Sequence, residues 1–254
     1  MISERQAVET FHLHFVRLLM AGRDKGGLIV KGGCNLRFFF GSIRYSEDLD
    51  LDVRHVSEDA LGTRVRSVLD SRVLEESLQS AGLAIVRTSA PKQTSTTQRW
   101  KIAIRIRDSE REIGTKVEFS RREGGGEAAF ESIDSRLLGR YQLMPVLATH
   151  YLLPAAIRQK VGALVGRREV QARDVFDLSL LFAKAGNQLR DYADLLPRVP
   201  TAIERVWALT YSDFQGQVAA FFEPEHGDTV ASEPAWEAMQ LHVVTTLETI
   251  GARS

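Results

Sequence analysis

Residues 31–53 read KGGCNLRFFFGSIRYSEDLDLDV, and the fold and chemistry of the chain are best approached from this stretch outward. Leu28, Ile29 and Val30 just before it form a short apolar strand, and Asn35 to Phe40 form a short helix ended by Gly41. Gly32 and Gly33 lie at the turn between them. Glycine there lets the backbone bend tightly and approach a phosphate, and the free amides of a helix start favour an anion. Asp48–Val53 reads as a strand, whose side chains alternate between faces. Asp48 and Asp50 therefore project side by side, while Leu49, Leu51 and Val53 face the core. Adjacent carboxylates repel, raise one another's pKa and invite a divalent cation. Phosphoryl and nucleotidyl transfer need such a site. A neighbouring strand is expected to supply a third carboxylate, and Glu118 is the candidate, flanked by inward-facing Val117 and Phe119. Asp52 shares the face of Asp48 and Asp50 but sits about 6.6 Å farther along, which makes it the weaker choice. The bland alternative is a merely solvated acidic strand face; the glycine pair upstream weighs against it.

Around this centre, residues 3–22 read as an amphipathic helix with Ser3 and Gln6 as a capping box, and Ser57–Ala81 as one long helix capped by Ser57. Strands are expected at Leu83–Thr88, Arg99–Arg107 and Ile113–Phe119. They are separated by the polar loop Pro91–Gln98 and the turn Asp108–Glu110, and followed by Ser120–Glu127 with its glycines 124–126. From about His150 the pattern is helical, with candidate helices at 150–167, 171–185, 188–196, 200–222 and 233–250. The expected fold class is α+β (α/β). A mixed-sheet core over residues 1–140 carries the metal site, and a helical bundle over 141–254 completes the cleft for nucleotide and acceptor.

Composition agrees with a globular protein: 254 residues, 44% hydrophobic and 26% charged. Cys34 is the single cysteine, so no internal disulfide forms. Glu4, Arg5 and Glu9 interrupt any apolar run near the start, and no stretch approaches the ~18 apolar residues of a membrane span. A cytoplasmic protein without a membrane partner is the expectation. Formal net charge is zero, but residues 1–180 carry 28 Lys and Arg against 23 Asp and Glu, and the remainder 5 against 10. That asymmetry suits a front half that handles polyanions.

The pattern of two small residues, a helix and Asp-x-Asp resembles the signature of polymerase-β-like nucleotidyltransferases. The fuller form here is Lys31-Gly32-Gly33, Leu36, Arg44-Tyr45-Ser46 and Asp48-Leu49-Asp50. It is similar to the abortive-infection nucleotidyltransferase toxins of the AbiEii/AbiGii type, which include the MenT toxins. That family's second signature, a Lys, an Arg about a helix later and then Arg-Asp-x-x-Asp, finds Lys160, Arg167 or Arg168, and Arg173-Asp174-Val175-Phe176-Asp177. The likeness covers roughly residues 25–185. It implies transfer of a nucleoside monophosphate from an NTP, with Mg²⁺ or Mn²⁺, to an RNA acceptor such as the tRNA 3′ end, and a cognate antitoxin. The implied catalytic residues are Asp48, Asp50, Lys160 and Asp174, with Asp48, Asp50 and Glu118 on the metal. The implied nucleotide contacts are Lys31, Gly32, Gly33, Arg44, Ser46, Lys160 and Arg173. Cys34 departs from the family, which carries a Thr or Ser after the glycines; a minor triphosphate contact is thereby in doubt.

Arg99, Lys101, Arg105 and Arg107 alternate with Trp100, Ile102, Ile104 and Ile106. With Arg121 and Arg122 they are candidates for an RNA-backbone groove, with the loop Pro91–Gln98 as a flap. The competing reading is a solvent face neutralised by acidic neighbours. Lys160 shares its helix with Leu153, Ile157, Val161 and Leu164, which places its ammonium at a helix edge. Asp174 is read as a base or as the orienter of Lys160, and Asp177 as equally well a structural partner of arginine. His55 reads as a loop residue, His150 as a helix start, and no histidine pairs with Cys34 at zinc-ligand spacing. Ser46 orders its loop or offers a hydroxyl to a phosphoryl group. Two other functions remain open: transfer to a small molecule or protein, and nucleotide binding without catalysis.

Overall fold

The computed structural model describes residues 2–22, 25–121, 126–186, 192–226 and 230–252. The chain divides into two compact units: Met1–Gly41 with Tyr45–Tyr151, and Ser42–Arg44 with Leu152–Ser254.

The first unit is a seven-stranded mixed sheet of strand order β3-β4-β5-β2-β1-β7-β6. Its strands are β1 Leu28–Lys31, β2 Asp48–Val53, β3 Leu83–Gln93, β4 Thr97–Ile106, β5 Glu112–Ser120, β6 Ala128–Ser132 and β7 Leu147–Tyr151. β2 runs antiparallel to β1 and parallel to β5, and β7 runs parallel to β1. Helix α1 (Glu4–Leu19) lies against β4, β5 and β7 and holds α3 (Glu58–Leu69) and α4 (Arg72–Ser80) beside it. Phe11, Phe15, Leu49, Leu51, Ile104, Val117 and Phe119, all fully buried, form the core between them. The capping box of α1 is made as read: the Ser3 amide donates to Gln6 Oε1 at 2.9 Å and the Gln6 amide to Ser3 Oγ at 3.2 Å. Helix α2 (Gly32–Phe39) joins β1 to the motif, and α5 (Ser135–Arg140) is capped by the Asp134 carboxylate.

Several boundaries differ from the sequence reading. The helix expected over Ser57–Ala81 is two helices, because the Ser71 hydroxyl accepts from the Leu74 amide and starts a new one. The loop expected at Pro91–Gln98 shrinks to a tight hairpin in which Thr94 and Thr97 exchange backbone hydrogen bonds, with Pro91 on the edge strand β3. The stretch expected to begin a helix at 150 is instead β7, buried in the sheet between β1 and β6. His150 belongs to it, stacked on Phe39 at a centroid distance of 3.6 Å. Leu-Ala-Thr-His-Tyr is too short an apolar run for periodicity to tell strand from helix.

The second unit is helical: α6 Leu153–Gly166, α7 Ala172–Ala185, α8 Val199–Trp207, α9 Tyr211–Gln217 and α10 Glu233–Ala252. The helix expected at 200–222 is broken, since Thr210 caps α9 with its own capping box alongside Asp213. The helix expected at 188–196 begins outside the described residues and ends in a 3₁₀ turn, Ala193–Arg198. Phe214 stacks on Trp236 at 4.9 Å within a core of Leu164, Phe182, Val206 and Leu247. Ser42–Arg44 join this unit by backbone pairing of Arg44 with Phe222 and of the Ile43 carbonyl with the Glu223 amide. No described helix is long and apolar enough to cross a membrane.

Candidate active site

Gly32 has φ +64°, the left-handed region that disfavours any side chain. A Cβ added there would also stand 3.2 Å from Asp50 Oδ2. Both facts demand glycine at this turn, and the closeness to Asp50 follows from Lys31 lying directly across from it in the β1–β2 pair. On β2, Asp48, Asp50 and Asp52 alternate with buried Leu49, Leu51 and Val53, as the alternation implies. Parallel strand β5 sets Lys116 beside Asp48 and Glu118 beside Asp50. The strand register thus brings all three proposed metal-binding carboxylates to one face.

Their partners differ. Lys116 Nζ lies 2.7 Å from Asp48 Oδ2, and Arg99 Nε donates to Glu118 Oε2 at 2.6 Å. Asp52 accepts from Lys31 at 2.5 Å and from the Tyr151 hydroxyl at 2.7 Å, so it clamps the lysine of the glycine motif. Burial pushes the Tyr151 hydroxyl up to about 12 and Asp52 adds to the shift, so it remains a proton donor. Among the described residues none clamps Asp50 in this way. Burial raises its pKa, and Asp48 and Glu118 raise it further against the opposing pull of Lys31 and Lys116. A carboxylate crowded by two others in a half-buried place gains most from a cation, so the donor set fits a hard divalent ion. Asp48 and Glu118 are each paired with a cation, Lys116 and Arg99. Among the described residues the trio of possible metal ligands whose atoms fall within 4.8 Å of one another is two carboxylates and an imidazole, Glu223, Glu225 and His226, in the second unit, which sequence reasoning did not single out.

Beneath the carboxylates, the Asp48 carbonyl accepts from Ser46 Oγ at 2.9 Å and from Cys34 Sγ at 3.2 Å. Cys34 is buried, and burial holds its thiol well above its ordinary pKa. Its sulfur points into the core, where it secures the backbone of the motif. His12 and Thr115 extend this support and were missed by sequence reasoning. Thr115 donates to the Glu47 carbonyl at 2.7 Å, so it must accept from His12 Nε2 at 2.8 Å; His12 Nδ1 then faces Cys34 Sγ at 3.7 Å. Burial lowers the His12 pKa to about 3, which keeps that tautomer neutral. A histidine on the apolar face of α1 was the available signal.

The basic strand is largely compensated. Arg99 serves Glu118, Arg105 lies 3.8 Å from Glu112, Arg107 donates to the Gln79 carbonyl beyond the end of β4, and Arg121 donates to Gln98 and the Val56 carbonyl. Lys101 is exposed. Arg122 and the glycines at 124 and 125 lie outside the described residues.

In the helical unit, the second signature closes into a buried charge cluster. Lys160 on α6 is 3.0 Å from Asp174 Oδ1 and also pairs with Asp177; both aspartates, on α7, are fully buried. Arg167 Nε approaches Asp174 at 2.9 Å, while Arg44 comes to 3.6 Å from Asp177. Burial alone would raise the Asp177 carboxyl, but Lys160, Arg44 and Arg173 outweigh it and hold the pKa below its ordinary value. Arg167, not exposed Arg168, fills the arginine position.

No curated protein sequence matches. Among solved structures, a Helicobacter pylori protein described as a nucleotidyltransferase superposes with TM-score 0.67 and 21% identity, covering 100% of this chain and 97% of its own. JHP933 from the same organism gives 0.67 and 20%, covering 100% and 94%. MenT4, a nucleotidyltransferase toxin of Mycobacterium tuberculosis H37Rv, gives 0.63 and 18%, covering 99% and 88%. These likenesses establish a shared fold. The family model for the nucleotidyl transferase AbiEii toxin, type IV toxin–antitoxin system, matches residues 16–250. With nearly its whole length matched, the chain belongs to the AbiEii nucleotidyltransferase toxin family.

Proposed function

We propose that this protein transfers a nucleoside monophosphate from an NTP to an RNA acceptor, such as the tRNA 3′ end, with Mg²⁺ held by Asp48, Asp50 and Glu118. The observation that carries the reading is Asp50: an unclamped, half-buried carboxyl raised by burial and by its acidic neighbours, 3.2 Å from where a Cβ on Gly32 would lie. A divalent cation supplies charge neutralisation of the triphosphate and a lowered pKa for the acceptor hydroxyl. Gly32 and Gly33 offer backbone amides at the start of α2, and Lys31, clamped by Asp52, holds a fixed positive charge next to Asp50. Lys160 and Arg173 contact nucleotide phosphate, Asp174 orients Lys160, and Arg44 and Ser46 shape their own segments of the binding residues. The acceptor oxygen bonds to the α-phosphorus as the α–β anhydride bond breaks; pyrophosphate leaves and the hydroxyl proton passes to water. The AbiEii family implies an antitoxin as partner.

The test is incubation of purified protein with Mg²⁺, α-labelled NTPs and cellular RNA, followed by sequencing of RNA 3′ ends. Label on RNA that disappears in Asp48→Ala is the expected result. Label retained in that variant removes the metal role, and label only on a small molecule or protein replaces the acceptor.

A further inference from the structure

The charges on the carboxylate-bearing face of the sheet run across strands rather than along one. One row, read through the registers, is Lys101, Lys116, Asp48; the next is Lys92, Arg99, Glu118, Asp50, Lys31. Together they set five cations against three carboxylates, and the acids are gathered on β2 and β5. From Asp48 and Asp50 outward to β3 the sheet presents Lys116, Lys101, Arg99 and Lys92. Lys101 and Lys116 stand directly opposite one another across the β4–β5 pair, ~4.8 Å apart in backbone spacing, and Asp48, the one carboxylate among the described residues of their row, is paired with Lys116. Like charges facing each other cost stability unless an anion joins them. Lys92 and Lys101 are both exposed, whereas Arg105, at the far end of β4, is neutralised by Glu112.

We propose that Lys116, Lys101 and Lys92 form a cross-strand track that carries the phosphate backbone of the acceptor RNA from the carboxylates to the β3 edge. This rests on the nucleotidyltransferase reading above and specifies which surface the acceptor occupies. The three lysines span two strand spacings, about 10 Å, and the path from the β2 aspartates to β3 is three, about 14 Å, room for two or three backbone phosphates beyond the carboxylates. Lys92 and Lys101 are exposed, and Lys116, half-buried and paired with Asp48, joins them to the carboxylates; ammoniums are point charges suited to following a backbone without reading bases.

The experiment measures binding of a short oligo(A) RNA and of bulk deacylated tRNA by fluorescence anisotropy across a salt series, using wild type, Lys101→Glu, Lys92→Glu, the double variant and Arg72→Glu as a distant charge-reversal control. Mg²⁺–NTP binding is followed in parallel by calorimetry. The double variant is expected to lose roughly 10- to 100-fold in RNA affinity at low salt. Its salt slope should fall by about 0.7 per phosphate contact removed, with NTP binding unchanged and a melting temperature that holds or rises as the facing of Lys101 and Lys116 is relieved. An equal loss in Arg72→Glu, an unchanged salt slope, or a loss confined to NTP binding overturns the track. If wild type labels RNA and the double variant labels it equally well, the track fails while the activity stands. If wild type neither binds nor labels RNA, the activity reading fails and the track with it.

Discussion

Acids and bases meet in both units, and the two meetings are built on opposite terms. On β2 and β5 the carboxylates are half-exposed, crowd one another, and leave Asp50 raised and unclamped. On α6 and α7, Asp174 and Asp177 are fully buried beneath Lys160, Arg44, Arg167 and Arg173, and Asp177 is held below its ordinary pKa. Half-exposed repulsion leaves a face ready to take positive charge from solution. Buried attraction ties a knot that resists loosening. Mutations should therefore separate the regions: the strand acids should report in turnover with stability kept, the helical cluster in stability whatever it does to turnover.

The largest effect falls on the strands. Asp50→Asn is expected to lower label transfer by about 10³-fold or more, since it removes a charge from the proposed metal-binding set. The same change relieves repulsion, so the melting temperature should hold or rise by roughly one to three degrees. The sign follows from the raised folded pKa: ionising Asp50 costs stability above the unfolded carboxyl pKa, so the gain should fade as pH falls toward 4. A melting temperature that drops would show Asp50 to be structural.

Lys160→Met should act the other way. Removing the ammonium leaves two buried carboxylates short of a partner, and breaking such a pair costs about 3–5 kcal/mol, readable in urea unfolding. Adding Asp177→Asn should recover part of that loss. If stability returns in the double variant while label transfer does not, Lys160 also serves the nucleotide; if both return, its role is the knot alone.

The same contrast decides how much was legible beforehand. Alternation along Asp48–Val53 determines which face the aspartates take, so β2 and its acids follow from local pattern alone. The Gly32 turn follows as well, because only glycine combines its positive φ with closeness to Asp50. Strand neighbours do not: that Arg99 would spend its charge on Glu118, and Lys116 on Asp48, depends on a register formed between distant segments. Lys160, Asp174 and Asp177 were legible only through the family signature, for nothing local announces that Arg44 would join them. His12 stayed hidden for the same reason, its partner Thr115 being 103 residues away.

Cys34→Ser sharpens the comparison on the strand side at a smaller scale. The sulfur secures the Asp48 carbonyl from the core, so a hydroxyl there replaces one donor by a stronger one. Stability should move by less than about 1 kcal/mol and NTP affinity by less than about twofold. A large gain in NTP affinity by calorimetry would show that this position does touch phosphate.

The smallest effect is one of pH. Burial lowers the pKa of His12 to about 3; burial, and then repulsion from Arg17, lowers that of His14 to about 4, against 6.5 in the unfolded chain. Both folded values lie below the unfolded one. Stability is therefore complete above pH 6.5 and lost progressively as pH falls from there toward 4 and 3, because the unfolded chain takes up protons the folded one refuses. One unit below 6.5 each histidine costs about 1.4 kcal/mol. His12→Gln should reduce the steepness of stability against pH between 7 and 5.5 by the contribution of one proton, whatever it does to stability at pH 7. That slope depends on proton uptake and not on packing, so an unchanged slope would mean that His12 is not held neutral, and the donor chain from His12 through Thr115 to the Glu47 carbonyl, beside the strand that bears Asp48 and Asp50, would have to be redrawn.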